Sequence, residues 1–278
     1  MTRILVADDD RTTRTLVTEL LRGENFTVVN ASDGAEALKK LKQDRFDLAL
    51  LDVRMPKKNG IEVLAALRKT KKSPKVIVMT SDDAPETLLG AIREQAYRYI
   101  SKPVDPRALL AIVKETLEKK SKSLPIDVVS ARPEWIELLV PCSLETAERI
   151  EGFMAHLKTG LSEEASAAVG QAFHELLLNA VEWGGKLNAN RKVRISYLRA
   201  KRMVLYRIAD PGPGFKLADL SHAAIAHDDD QPIQHDEIRQ QKGLRPGGFG
   251  LVLVKANVDE LLYNEKQNEV VFVKYLDS

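Results

Sequence analysis

Asp8, Asp9, Asp52, Thr80 and Lys102 share one place in the pattern of the chain: each follows a short apolar run directly or within one residue of its end. The runs are Ile4-Leu5-Val6-Ala7, Leu48-Ala49-Leu50-Leu51, Val76-Ile77-Val78-Met79 and Tyr97-Arg98-Tyr99-Ile100. If they are parallel strands of one sheet, the residues meet at its carboxyl edge, where such sheets hold their ligands. Three carboxylates in one pocket repel one another, so the arrangement calls for a cation. Oxygen-only ligands suit Mg²⁺, which also bridges to phosphoryl oxygens. Lys102 adds positive charge and Thr80 a hydroxyl donor, and a carboxylate can take a phosphoryl group by nucleophilic attack. Taken singly, each acid reads better as a surface helix cap. As a set they read as an acidic Mg²⁺ site with a lysine and a threonine beside it.

The elements that must position these residues alternate. Strands are expected at Ile4–Ala7, Thr27–Val29, Leu48–Leu51, Val76–Met79 and Tyr97–Ile100. Helical patterns run over Thr12–Arg22, Gly34–Lys42, Gly60–Arg68, Glu86–Glu94 and Pro106–Lys119. Pro106 opens the last of these, where its missing N–H costs nothing. Strands alternating with helices imply a parallel sheet covered on both faces. With Asp52-x-x-Met55-Pro56-x-x-x-Gly60 and Lys102-Pro103, this half resembles the receiver domain of two-component response regulators. The resemblance implies a flavodoxin-like, doubly wound α/β domain over 1–120. It implies Mg²⁺ held by Asp8, Asp9, Asp52 and the main-chain carbonyl of Arg54, with Asp52 as phosphoacceptor. Lys102 would contact the phosphate, and Thr80 with Tyr99 would form the switch. The phosphate donor would be a cognate sensor histidine kinase or phosphotransfer protein.

The second half carries three further clusters. Glu175 and Asn179 stand four apart on a helical stretch, and so share a face. A carboxylate beside an amide suits a Mg²⁺–phosphate site with the carboxylate free to act as a base. Asp210-Pro-Gly212-Pro-Gly214-Phe215 follows a strand, and its glycines let backbone approach a ligand. Gly247-Gly248-Phe249-Gly250 opens an apolar helix, whose free N–H groups suit phosphate. The expected frame is a strand at Trp135–Val140, helices at Ser143–Lys158 and Ser162–Trp183, and paired strands at Lys192–Leu198 and Met203–Ile208. A polar lid at Gly214–Gly247, a helix at Gly250–Val258 and closing strands at Leu261–Tyr263 and Val270–Tyr275 complete it.

In this order the clusters resemble the three nucleotide boxes of the GHKL ATP-binding fold, an α/β sandwich shared by histidine kinases, gyrase and bacterial anti-sigma serine kinases. The resemblance spans Glu134 to Leu276. It implies ATP with Mg²⁺ as cofactor. Asn179 would help hold the metal, Asp210 would read adenine, and Gly212 and Gly214 would line the base pocket. Gly248 and Gly250 would hold phosphates, and Lys242, Arg239 or Arg245 in the lid would stabilise γ-phosphate charge. Two departures stand out: Trp183 where many relatives have His or Tyr, and Val271 where many have a Thr near the adenine.

His174-Glu175 imitates a histidine-kinase acceptor pair, but it overlaps the proposed metal cluster, and His156 has no paired dimerisation hairpin around it. His222, His227 and His235 read as solvated lid residues. The layout is closest to the anti-sigma serine kinases. That implies a serine/threonine kinase with Glu175 as general base, acting on a small antagonist protein in a circuit that involves a sigma factor, and often a homodimer. Two alternatives stay open: an ATP-gated module that holds its partner without phosphorylating it, and a histidine-kinase-like ATPase whose acceptor helices lie on another protein.

The bulk properties fit this reading. The chain has 278 residues, enough for two domains. They are read as 1–120 and 134–278, joined by a polar, Pro-broken linker at 121–133. A formal charge of +2, with lysines and arginines scattered among acids, argues against direct nucleic-acid binding. A single cysteine, Cys142, rules out a disulfide framework within the chain and reads as filler at a strand end. No apolar run approaches membrane-spanning length, and the expected location is the cytoplasm.

Overall fold

The computed structural model describes residues 2–68, 70, 73–81, 84–119, 124–132, 134–158, 161–214 and 250–276. The chain divides into two compact units, Met1–Ser123 and Leu124–Ser278.

In the first unit, β1 (Arg3–Ala7), β2 (Thr27–Ala31), β3 (Leu48–Asp52), β4 (Lys75–Thr80) and β5 (Arg98–Ser101) form one sheet in the order β2-β1-β3-β4-β5. Every pairing in it is parallel. The linking helices are α1 (Arg11–Gly23), α2 (Gly34–Gln43), α3 (Gly60–Arg68), α4 (Pro85–Arg93) and α5 (Pro106–Glu118). Helix α1 packs with α5, while α3 packs against both α2 and α4. Alternation along the strands sends Ile4, Val6, Leu48, Leu50, Ile77 and Met79 into one core with Val17 and Leu21 of α1 and Leu109 and Val113 of α5. Polar residues start the helices: Asp10, Asp33 and Asp105 each accept first-turn N–H groups. The chain leaves β1 for β2 on one side and returns to β3 on the other. The crevice of this α/β sheet therefore opens between the ends of β1 and β3.

The second unit is an antiparallel six-stranded sheet under a layer of helices. Its strands are β6 (Asp127–Arg132), β7 (Trp135–Pro141), β8 (Lys192–Ala200), β9 (Met203–Ala209), β10 (Glu260–Tyr263) and β11 (Glu269–Tyr275), in the order β10-β11-β9-β8-β7-β6. Helix α6 (Leu144–Ala155) packs on β7, α7 (Glu163–Asn179) packs on β9 and β11, and α8 (Gly250–Asn257) lies against α7. The joint between layers is aromatic. Tyr206 of β9 stacks on Phe272 of β11 at 5.0 Å, and it meets Phe173 of α7 at 5.2 Å and Tyr197 at 5.0 Å.

Two boundaries differ from the sequence reading. The stretch 121–133, read as linker, contains β6, which pairs with β7 and forms an edge of the second sheet. A buried Arg149 reaches back from α6 to the carbonyl of Leu124 at 2.7 Å, tying in the start of this unit. The long helix expected to run to Trp183 is α-helical only to Asn179. Residues Ala180–Gly184 form a π turn, closed by Gly185 N–H donating to the Ala180 carbonyl at 2.8 Å. Such single-turn widenings concentrate at functional sites.

Candidate functional sites

The crevice of the first unit collects the residues expected there. Carboxylate oxygens of Asp8, Asp9 and Asp52 all lie within 4.8 Å of one another. Asp8 is fully buried, Asp52 nearly so, and Asp9 is exposed. Lys102 crosses from the end of β5 and donates to Asp8 Oδ2 at 2.7 Å and to Asp52 Oδ1 at 2.6 Å. Burial works to lower the Lys102 pKa, but its bonds to Asp52 and Asp8 outweigh that and raise it. Burial pushes the Asp8 carboxyl above its ordinary value against the pull of Lys102, and the charge of Asp52 adds to the rise. The cluster is thus rich in hard oxygen donors, and one cation only partly offsets its charge. That donor set fits Mg²⁺, with room for solvent ligands on the Asp9 side.

Backbone geometry explains the spacing around Asp52. Gly60 opens α3 against the turn of β3: a Cβ there would press into the Asp52 carbonyl and sit 3.2 Å from Val53 Cα. Gly60 N–H donates to the Val53 carbonyl at 3.0 Å, which closes the loop that carries Arg54. Thr80 is fully buried at the end of β4, and its carbonyl accepts the Lys102 N–H at 2.7 Å. Tyr99 is buried on β5, paired with Val78.

The second site lies at the end of α7. Glu175 and Asn179 are half-buried one turn apart, and the first residue of α8, Gly250, sits on the Glu175 carboxylate, whose Oε2 would have to shift to admit a Cβ there. His174, the neighbour of Glu175, turns instead to α6 and pairs with Glu151 at 3.0 Å. The π turn brings Gly184 under Asp210, where a Cβ would overlap the carboxyl group. Gly212 fits against both, with a notional Cβ at 2.7 Å from Asp210 Oδ1 and 2.9 Å from Gly184 Cα. Its N–H donates to Asp210 Oδ1 at 2.6 Å. Burial raises the Asp210 pKa against the pull of that N–H and of Arg191 and Lys266. Gly214 has φ +83°, and its Cα abuts the Lys266 carbonyl in the β10–β11 turn.

Residues outside the sequence motifs hold this loop. Asn268 Nδ2 donates to the carbonyls of Asp210 and Gly212, both at 3.3 Å, and Asp210 N–H donates to the Asn268 carbonyl at 2.9 Å. Arg191 donates to the Pro211 carbonyl. Cys142 is buried at the end of β7, with its Sγ against Gly185, and fills that strand end as expected. Val271 pairs with Arg207 on the sheet face opposite α7, whereas Val270 turns toward the helices beside Phe272. Gly247, Gly248 and Phe249, with Arg239, Lys242, Arg245, His222, His227 and His235, lie outside the described residues.

Known proteins echo this division. Residues 4–114 match the family described as "response regulator receiver domain", and residues 141–274 match "histidine kinase-like ATPase domain". The transcriptional regulatory protein CpxR of Escherichia coli is 42% identical over 119 residues, covering 43% of this chain and 50% of CpxR. The chain thus spans about half the length of that relative. The DNA-binding response regulator MtrA of Mycolicibacterium smegmatis is 31% identical over 202 residues, covering 72% of this chain and 87% of MtrA. Among solved structures, a CheY-like receiver domain protein of Methanospirillum hungatei is 34% identical, covers 43% of this chain and 95% of that one, and has a TM-score of 0.42. Among the described residues, no helix is long and apolar enough to cross a membrane.

Proposed function

The chain belongs to the response regulators, with a receiver domain followed by a histidine kinase-like ATPase domain, and we propose that phosphorylation of Asp52 controls an ATP-dependent protein serine/threonine kinase in its second unit. The observation that carries the receiver half is the Lys102 ammonium bonded to both Asp8 and Asp52. A phosphoryl group on Asp52 would take over that cation, and Mg²⁺ on Asp8, Asp9, Asp52 and the Arg54 carbonyl would supply further positive charge when bound. Asp52 then acts as nucleophile toward the phosphoryl group of a sensor histidine kinase or phosphotransfer protein. Thr80 and Tyr99 relay the change. Acetyl phosphate with Mg²⁺ should label wild type and leave Asp52→Ala unlabelled; equal labelling of the two would end this reading.

For the output unit, support comes from the meeting of Glu175 with Gly250 at the start of α8. It sets a carboxylate beside a helix N-terminus that follows a glycine run, the place for a terminal phosphate. ATP supplies the phosphoryl group when bound. Asp210, backed by Gly184 and Gly212, accepts from the adenine amine, and Asn179 helps hold Mg²⁺. Glu175 takes the proton from a serine or threonine hydroxyl of a small antagonist protein, whose phosphorylation sets the availability of a sigma factor. Labelled ATP with a captured partner gives the test. Acid-stable phosphate on the partner, lost roughly a hundred- to ten-thousand-fold in Glu175→Gln with ATP binding kept, supports the kinase. Acid-labile phosphate would indicate histidine transfer, and partner binding without transfer an ATP-gated holding module.

Control by the receiver requires that phosphorylation favour one of two states of the whole chain through differential contacts. Beryllofluoride should change transfer or partner affinity by roughly 5- to 150-fold, the usual size of allosteric coupling, and Tyr99→Ala should blunt the change. No change in wild type would leave the units merely tethered.

A further inference from the structure

We infer that Arg14 is a positioning residue of the acidic cluster, holding the backbone from which Asp8 and Asp9 reach a metal ion. Arg14 stands one turn into α1 and is half-buried. Its Nη1 donates to the main-chain carbonyl of Asp8 at 2.5 Å and to that of Asp9 at 3.3 Å. Lys102 meets carboxylates, whereas Arg14 meets the peptide groups behind them.

The local chemistry calls for such a clamp. Asp8, Asp9 and Asp10 are consecutive acids that leave β1 and must turn into α1 within three residues. Asp10 is committed as N-cap, accepting from Thr13 N–H at 2.8 Å and Thr13 Oγ1 at 2.6 Å. Its own N–H donates to Asp8 Oδ1 at 3.0 Å, which leaves Asp8 Oδ2 for Lys102. The carbonyls of Asp8 and Asp9 lie between strand and helix hydrogen bonding; that of Asp8 is partly buried and needs a donor, while that of Asp9 is exposed. Arg14 supplies one to both, and so fixes the two peptide planes that aim the side chains. Outer-shell partners of this kind commonly govern metal affinity by 10- to 100-fold.

The inference rests on the reading of Asp8, Asp9 and Asp52 as a Mg²⁺ site, and the experiment separates the two. MgCl₂ is titrated calorimetrically into the full chain as wild type, Arg14→Met and Arg14→Lys, with thermal unfolding followed alongside. Absence of Mg²⁺ binding by wild type would overturn the metal site itself. Given wild-type binding, position and charge predict opposite signs. A guanidinium acting only as a nearby positive charge repels Mg²⁺, so Arg14→Met would bind more tightly. A positioning Arg14 gives the reverse: Mg²⁺ affinity about tenfold weaker in Arg14→Met, weaker by a smaller factor in Arg14→Lys, and nucleotide affinity of the second unit unchanged. Equal or tighter Mg²⁺ binding by Arg14→Met overturns the inference. If Arg14→Met fails to fold, Arg14→Lys decides: wild-type Mg²⁺ affinity there is the refuting result.

Discussion

Replacing Lys102 by Met isolates the electrostatics of the receiver crevice, since Met keeps much of the stem and removes the ammonium. Asp8 and Asp52 would then face each other with no cation between them. Breaking a buried pair by removing one partner commonly costs about 3–5 kcal/mol. Here the cost has a ceiling, because one carboxylate can protonate instead. From the ordinary Asp value of 3.8 up to pH 7 is about three pH units, each worth about 1.4 kcal/mol, so the ceiling is about 4 kcal/mol. At pH 5 it falls to about 1.5 kcal/mol. The sign comes from proton uptake. With its carboxyl pKa raised, the folded variant binds more protons than the unfolded chain, so its stability is present at low pH and lost as pH rises through the folded pKa. For a unit of this size the receiver transition should drop by about 15 °C at pH 7 and by about 5 °C at pH 5. Mg²⁺ should restore much of the loss at pH 7, because it supplies the missing charge to the folded state alone. Scanning calorimetry of the full chain at both pH values, with and without Mg²⁺, measures this. A drop that is the same at both pH values and indifferent to Mg²⁺ would assign the loss to packing and refute the reasoning.

Gly60→Ala should destabilise the first unit by about 1–3 kcal/mol, because the new methyl must displace the Asp52 carbonyl; urea unfolding showing a loss below about 0.5 kcal/mol would contradict the close approach. Asp210→Asn should weaken ATP binding by roughly 1.5–3 kcal/mol, about 10- to 150-fold, by turning an acceptor into a donor, and calorimetry gives the value. In wild type, ATP affinity should fall on acidification beginning above the ordinary Asp range, since burial has raised the Asp210 pKa and the protonated form is the weaker acceptor. Gly184→Ala should cost nucleotide affinity with Glu175 untouched, because its methyl overlaps the Asp210 carboxyl; unchanged binding would mean Asp210 is not the base contact.

The sequence made the acidic crevice legible because strand ends are marked twice, by where apolar runs stop and by the polar residues that come next. Asp8, Asp52, Thr80 and Lys102 needed only the topology to meet. Glu175 and Asn179 were legible for a similar reason, since a helix carries its own ruler. Other features depend on relations that no local pattern encodes. Strand β6 is half-buried, lies at an edge and has a bulge between Val128 and Ser130, so its alternation is broken. The side of the sheet on which Val271 falls depends on its register with Arg207, some 60 positions away. Asn268 and Arg191 hold the Asp210 loop from distant positions, and nothing in their neighbourhoods marks them for it. The π turn is hidden because its residues continue an ordinary helical pattern.

That turn bears on how this chain can change over time. A π turn packs one surplus residue into about the sweep of a single α turn, so the chain beyond it keeps the heading of an unbroken α-helix. Gly184 beneath Asp210 and Gly185 against Cys142 therefore hold seats that a segment one residue shorter could also reach. Deletion of one residue among Ala180 to Trp183 restores an α turn and leaves both glycines in phase, whereas insertion of one turns them by about 100°. Single-residue insertions and deletions scanned over 180–183 should differ sharply, with deletions the better tolerated. Descendants of this chain are then free to shed a residue here but not to gain one.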